Sequence, residues 1–471
     1  MHSYATPKYV KIWESSIKTL VFLLFGTILA VVAATQNVRM VVAAGGLLVV
    51  GVVGIAFNRY GEKLAAAVFG IFMVLTILFN RSFSHVAIPG PPFYVTELTM
   101  AGVTAMLWFR GKLRIPRTIR PLLLGVMAVM VTGIVVNGPR FGFLPVIRDS
   151  AELYYIWFVP LSYSVYRVVG PYITPKRTEW ILFWALWIVP AVYLATASTQ
   201  LPSMSESVSA MLILTIFVWN WHFVPETMIW PALVLNIVSL VHWGARGPWV
   251  GLGLALVVLL AMGQNISGGY GRRLRMRFLT AAALGLWLIG LIWLVDESLL
   301  TQILRDVLSL TTFHGSYNQV ANNRWRLIVW EEAGRQFLSN PLALRVGQPW
   351  IPEKLVALGY GGWNAAPGFA QNTVALSDSY LQMMQWYGLW AIIPVGLVVY
   401  EGLKRLLGAK PWTWLQVLVT SFLAVWAVVT GVEVVLEGPY MSAVVWSLIG
   451  LALYFPEYKT LINKRREEGC K

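Results

Sequence analysis

The chain has 471 residues, of which 58% are hydrophobic and only 12% are charged. This composition excludes an ordinary water-soluble domain, whose surface needs more charge, and indicates a polytopic helical membrane protein. The net charge of +15 is expected to record membrane topology and contact with anionic lipid, not nucleic-acid binding.

Apolar stretches of the roughly 20 residues needed to cross a bilayer recur along the chain. Fourteen spans are predicted, and twelve or thirteen would also fit because several are short or share a tight turn. They lie near residues 17–35, 39–57, 63–80, 94–110, 121–137, 149–169, 179–197, 205–222, 226–243, 246–263, 277–295, 381–402, 413–436 and 438–455. The first span is interpreted as an uncleaved anchor, because its apolar run is long for a signal peptide.

The distribution of basic residues supports this topology. With the N-terminus inside, 25 of the 36 lysines and arginines fall on the inner side, and an even number of spans leaves both termini there. Ten of the eleven outer residues are arginines, which suit bidentate contacts with phosphate or carboxylate; ion pairs with loop glutamates are the alternative. The eleven are Arg39, Arg81, Arg140, Arg148, Arg246, Arg305, Arg324, Arg326, Arg335, Arg345 and Lys354.

The predicted organisation has three parts. Residues 1–295 carry the first eleven spans, residues 296–380 form a large outer loop, and residues 381–471 carry the last spans and an inner tail. Acidic residues in the spans are few. Glu97, Glu152, Glu179 and Glu206 lie near span ends, and this argues against an ion-driven carrier, which usually needs a carboxylate near mid-membrane.

The outer loop contains a stretch with helical spacing of apolar residues. A helix is predicted from an N-cap at Asn322 or Asn323 to a stop before Pro341, since proline cannot continue a helix. Arg326 and Trp330 are four residues apart and therefore share a face. Such an amphipathic helix suits the membrane interface, at the depth of a lipid diphosphate.

The sequence lacks the usual motifs of disulfide, metal and nucleotide sites. Cys470 is the only cysteine, which excludes an internal disulfide and a cysteine-based metal site. The sequence has no P-loop, no dinucleotide-binding glycine pattern and no paired histidines. We therefore expect that the chain binds no nucleotide, metal ion or other cofactor.

The order of the loop motifs resembles the signature of the O-antigen ligase and O-antigen polymerase superfamily. The relevant residues are Arg326 with Trp330, Asn340-Pro341-Leu342, Gly347, and Ser377-Asp378 followed by Gly388. Upstream, three segments are similar to family spans: PPFYVTELTMAG (91–102), IRDSAELYY (147–155) and HWGARGPWVGLGLALVVLL (242–260). The resemblance covers roughly residues 90–400. It departs from the family at Ser377, where the family has a histidine, and at the reduced glycine pair of residues 347–349.

The resemblance implies a GT-C-like helical membrane enzyme with a large periplasmic loop. It would transfer a glycan from undecaprenyl diphosphate to a sugar hydroxyl at the outer face of the bacterial inner membrane, without a metal. We expect a polysaccharide polymerase; the alternatives are an O-antigen ligase acting on lipid A core and a flippase for lipid-linked sugars. The expected partners are the lipid-linked donor, an acceptor glycan and membrane lipids. A purely structural membrane protein would leave the outer arginines unexplained.

The resemblance and the chemistry together nominate site residues. Arg246 and Arg326 are expected to stabilise charge on the leaving diphosphate, and Asp378 to accept the proton of the acceptor hydroxyl. Glu331, Glu332 or the diphosphate itself are alternative bases. The residues expected to bind the diphosphate and glycan are Arg148, Arg324, Trp330, Ser377 and Tyr380. The structural alternatives are interfacial snorkelling for Arg246, a salt bridge for Arg326 and a helix cap for Asp378.

Overall fold

A computed structural model shows a bundle of packed α-helices. It describes residues 61–80, 82–84, 86, 94–196, 202–242, 246–263, 266, 270–295, 298, 301, 317–348, 350, 354, 379–408, 412–432, 436 and 438–469. No β-strand occurs among these residues, so the predicted all-α class is confirmed.

The helices are numbered in chain order. They are α1 (Gly61–Asn80), α2 (Val95–Phe109), α3 (Arg120–Phe141), α4 (Phe143–Asp149), α5 (Ala151–Tyr154), α6 (Phe158–Val169), α7 (Pro175–Ala195), α8 (Pro202–Val218), α9 (Ile229–His242), α10 (Arg246–Gly263), α11 (Tyr270–Val295), α12 (Tyr317–Ser339), α13 (Ser379–Tyr387), α14 (Leu389–Gly408), α15 (Trp414–Thr430) and α16 (Pro439–Gly469). Short 3-10 turns cover Tyr155–Trp157, Gly170–Tyr172 and Glu226–Met228.

Several helices have the length and composition of membrane spans. Four are long and apolar enough to cross a membrane: Gly61–Asn80, Arg120–Phe141, Lys176–Ala195 and Pro439–Lys464. Five shorter apolar helices are Val95–Phe109, Met204–Val218, Glu226–His242, Gly247–Gly263 and Trp414–Thr430. The predicted spans near 17–35 and 39–57 lie outside the described residues. A membrane fold is therefore supported, while the number of fourteen spans and the GT-C-like arrangement stay predictions.

Two predicted spans are interrupted in the structure. The stretch 149–169 is divided by Ser150, whose hydroxyl donates to the carbonyl of Val146 at 2.7 Å, and by the 3-10 turn after α5. The stretch 381–402 is divided at Gly388, whose φ of +60° ends α13. Apolar length alone predicted continuous spans, because it carries no information on a single left-handed residue.

The core forms around α8, which packs against α7, α9, α10 and α15. Small residues let some helices approach closely. A side chain at Gly251 of α10 would lie 3.0 Å from the carbonyl oxygen of Val425 in α15. Helix α16 packs in the same way on α6, since Gly450 faces Ser162 and the backbone of Tyr163. Close approach at small residues is a common way for helices to associate in a membrane.

The basic segments predicted to lie on one side of the membrane meet at one end of the bundle. Contacts join Lys112 to Glu62 (3.0 Å), Arg405 to Thr118 (2.8 Å), Arg167 to Glu457 (2.9 Å) and Lys63 to the ring of Tyr172 (5.2 Å). Arg277 belongs to the same end. Its guanidinium is 5% exposed, pairs with Glu226 and donates to the carbonyl of Trp219 at 2.7 Å, just past the C-terminus of α8. We call this the basic end.

Candidate functional site

At the opposite end, residues 340–348 dock onto the helices; we call this stretch the docking segment. Four hydrogen bonds hold it. The N–H of Arg345 donates to the carbonyl of Trp386 at 2.7 Å, the N–H of Leu389 to Pro341 at 2.8 Å, the amide of Asn137 to Leu344 at 3.1 Å and the indole of Trp390 to Leu342 at 3.0 Å. The segment therefore fastens the end of the predicted outer loop to α3 and to the α13–α14 junction.

Gly388 makes that junction possible. Its φ of +60° disfavours any residue with a Cβ, and a Cβ there would also run into the carbonyl oxygen of Pro341. The same carbonyl accepts the hydrogen bond from Leu389. Two residues of the resembled pattern, Pro341 and Gly388, are thus in direct contact.

Gly347 plays a similar part at the other end of the docking segment. It has a φ of +76°, and a side chain on it would collide with Val146 of α4. The neighbouring Val346 is fully buried, and a Cβ on Gly133 of α3 would lie 2.9 Å from it. Close packing of residues 133, 146 and 346–347 brings the segment 147–155 alongside the loop.

A carboxylate and two tyrosines lie in the segment 147–155 and its neighbour α2. Glu97 accepts hydrogen bonds from the hydroxyls of Tyr154, at 3.1 Å, and Tyr155, and from the backbone N–H of Tyr94 at 2.9 Å. Sequence reasoning identified Glu97 only as an acid near a span end. The sequence feature that could have indicated this contact is the adjacent pair Tyr154-Tyr155, because buried hydroxyl groups need hydrogen-bond acceptors.

The loop helix α12 forms, but its predicted start is wrong. It begins at Tyr317, so Asn322 and Asn323 lie inside it and neither is the N-cap. It ends at Ser339, as the following Asn340-Pro341 predicted. Asparagine is a frequent N-cap, but it is also tolerated within a helix, and its presence alone did not fix the start.

Trp330 and Tyr380 lie on either side of the start of α13. Trp330 packs with Trp350 and Leu381 around the buried Val329 and Ala333. Tyr380, next to Leu381, is 43% exposed and donates its hydroxyl to the carbonyl of Ala427 at 3.3 Å. Helix α13 therefore contacts the α12 cluster of Trp330 through Leu381 and contacts α15 through Tyr380.

The start of α10, where Arg246 lies, is close to the same place. A Cβ on Gly247 would lie 2.7 Å from Val432, directly after α15. Gly431 in that turn is in contact range of the Tyr380 ring. The backbone of Arg246 and the side chain of Tyr380 thus border one turn. The side chain of Arg246 lies outside the described residues.

The structure describes some of the other predicted site residues and leaves the rest outside its described part. Arg148 is partly buried in α4, on a different face of the helix from Val146, which contacts Gly347. Arg326 is partly buried on α12. The side chain of Arg324, and Ser377 and Asp378 as a whole, lie outside the described residues.

Two loop arginines and two glutamates have structural contacts. Arg335 pairs with Glu331, and Lys354 donates to Glu331 through Nζ and to Glu332 through its backbone N–H, both at 2.9 Å. The hydrogen bond from Lys354 and the charge of Arg335 lower the pKa of Glu331, which makes it a weaker base. Arg345 donates to the carbonyls of Gln336 (3.1 Å) and Asn340 (3.3 Å) at the end of α12.

The predicted acids near span ends are buried in the structure. Glu152, Glu179 and Glu206 lie near helix ends, as predicted, yet all are buried between helices. One oxygen of Glu179 accepts N–H bonds from His222 (2.7 Å) and Val224 (3.0 Å) and so fixes a turn at the basic end. Their positions near helix ends agree with the prediction, and their burial shows that neighbouring helices enclose them.

An apolar groove of 280 Å³ opens beside Tyr380. It runs between α14, α15 and α16, and one face of α14 supplies a wall from Ile392 through Gly396 to Leu403. The eleven helical steps from Ile392 to Leu403 span about 16 Å. A Cβ on Gly396 would meet nothing within 4 Å, so this glycine widens the groove.

No protein-family model and no curated protein matches this chain. Within the described part of the chain, no group of three or more histidine, cysteine, aspartate or glutamate side chains could hold a metal ion.

Proposed function

We propose that this chain is a metal-independent membrane glycosyltransferase acting on an undecaprenyl-diphosphate-linked glycan. It would work at the periplasmic face of the bacterial inner membrane as a polysaccharide polymerase. The observation that carries this proposal is the convergence of residues 147–155, the docking segment and Gly388. These parts of the resembled pattern are far apart in sequence, and unrelated short matches would not be expected to pack together.

The proposed reaction is a single displacement. The acceptor hydroxyl oxygen forms a bond to the anomeric carbon, while the bond from that carbon to the diphosphate oxygen breaks and the diphosphate leaves with the electron pair. The hydroxyl proton passes to Asp378 or to the departing diphosphate. Arg246 and Arg326, with Arg148 and Arg324 in support, stabilise the charge that develops on the diphosphate.

The apolar groove supports a lipid-linked donor. A prenyl chain lying along α14 would keep its diphosphate near Tyr380 and close to the start of α10. Burial of each methylene contributes about 0.8 kcal/mol, so a groove of this length adds substantial affinity for such a chain.

Filling the groove tests the proposal. We expect Gly396→Leu to weaken binding of undecaprenyl diphosphate to the protein in nanodiscs by about tenfold, because its side chain takes the place of roughly two methylenes of the lipid. Gly253→Leu is the matched control, since Gly253 is exposed on α10 and its Cβ would also meet nothing within 4 Å. Equal binding by the wild type and both variants would exclude the groove as the chain site.

Two alternatives remain for the same membrane site. An O-antigen ligase would differ only in its acceptor, lipid A core. A flippase for lipid-linked sugars is favoured by one observation, the fully buried Glu152 and Glu206. Carboxylates that face the interior of a membrane helix bundle often mark a transport pathway. The flippase predicts movement of an intact donor, whereas the transferase predicts its cleavage.

A further inference from the structure

A second cavity, of 350 Å³, lies at the basic end, between the start of α15 and the C-terminal part of α16. We call it the α15–α16 pocket. Its walls include Trp412, Thr413, Trp414, Tyr458, Lys459 and Asn463. It lies on the opposite side of the bundle from the docking segment and has no part in the proposed transfer.

The pocket is suited to an anion. Lys459 is its one charged lining residue among those described, and it is partly buried on α16. The N-terminus of α15 borders the same space through Thr413, Trp414 and Leu415. The capping box of Thr413 and Gln416 occupies the N–H groups of these two residues, which leaves the N–H groups of Trp414 and Leu415 and the positive end of the helix dipole at this helix terminus.

The pocket is also suited to a molecule with an apolar part. Trp412, Trp414 and Tyr458 supply aromatic walls, and the Trp412 indole is held by its hydrogen bond to the carbonyl of Leu407 at 3.1 Å. Tryptophan and tyrosine concentrate at the level of lipid headgroups. A cation beside aromatic walls at this level matches a phosphate that is joined to acyl chains.

We propose that the α15–α16 pocket binds the headgroup of an anionic phospholipid. Lys459 and the N-terminus of α15 contact the lipid phosphate, and the aromatic walls contact its glycerol and upper acyl carbons. Basic sites between helices on the inner side of a membrane are a recognised mode of lipid binding. The proposal stands whether or not the chain is a glycosyltransferase.

Native mass spectrometry of the full chain, released from nanodiscs of phosphatidylcholine with a minority of phosphatidylglycerol, tests this site. We expect Lys459→Gln to lower retention of phosphatidylglycerol about fivefold, the factor for one cation near a membrane surface. Asn463→Glu, at an exposed lining position, should lower it at least as much through repulsion. Lys404→Gln is the control, because Lys404 is exposed at the basic end outside the pocket.

The outcomes are distinct. Selective retention of phosphatidylglycerol that falls in both pocket variants and not in the control supports the site. Unchanged retention in both variants, or equal retention of phosphatidylcholine, overturns it. Displacement of the lipid by millimolar glycerol phosphate would show a site for soluble phosphate and would overturn the phospholipid assignment.

Discussion

Replacing Gly388 by alanine is expected to destabilise the folded chain by about 3 kcal/mol and to release the docking segment. The left-handed conformation costs a residue with a Cβ about 1–2 kcal/mol. The new Cβ would also push against the carbonyl of Pro341, which accepts the hydrogen bond from Leu389. Losing that bond costs about 1 kcal/mol more.

Gly396→Ala is the control for this change, since it adds the same methyl group to α14 where nothing lies within 4 Å. Thermal unfolding in detergent and limited proteolysis of residues 340–348 measure the two effects. An unfolding temperature for Gly388→Ala equal to that of Gly396→Ala would show that the contact with Pro341 does not hold the loop.

Removal of either proposed cationic group should lower turnover by 10²–10³-fold, the range seen when one fixed donor to a developing negative charge is removed. Arg326→Ala and Arg246→Ala are the variants. Arg326→Lys should recover only part of the rate, because an ammonium cannot make the bidentate contact of a guanidinium with phosphate.

Arg335→Ala provides a comparison on the same helix. Arg335 is exposed and pairs with Glu331, so its loss should leave turnover unchanged. Initial rates with a synthetic lipid-linked donor, together with unfolding temperatures, distinguish lost chemistry from lost folding. Similar rates for the alanine variants at 326, 246 and 335 would show that Arg326 and Arg246 do not act on the diphosphate.

Apolar stretches predicted most helices well, because burial in lipid or between helices requires long apolar runs. They could not predict the interruptions at Ser150 and Gly388, which depend on the backbone conformation of a single residue. The start of α12 was missed for a related reason. Three of the residues 317–322 are polar amides, and the adjacent Val320 and Ala321 do not by themselves establish a helical period.

The candidate site was partly accessible from sequence. The pattern indicated that Pro341, Gly347 and Gly388 belong together, and the structure supplies the contacts that explain the glycines. Pairings across the chain, such as Glu97 with Tyr154 and Asn137 with Leu344, depend on which helices become neighbours. The spacing of residues along one sequence does not show which helices become neighbours. The proposed role of Asp378 stays a prediction, since that residue lies outside the described part.

The central claim is that the chain cleaves a lipid-diphosphate donor. The most direct measurement reconstitutes the purified protein in liposomes with an undecaprenyl-diphosphate-linked oligosaccharide and follows both products. The account predicts that undecaprenyl diphosphate is released in step with lengthening of the lipid-linked glycan, without added nucleotide or metal. Movement of the intact donor across the bilayer with no diphosphate release would contradict it and favour the flippase.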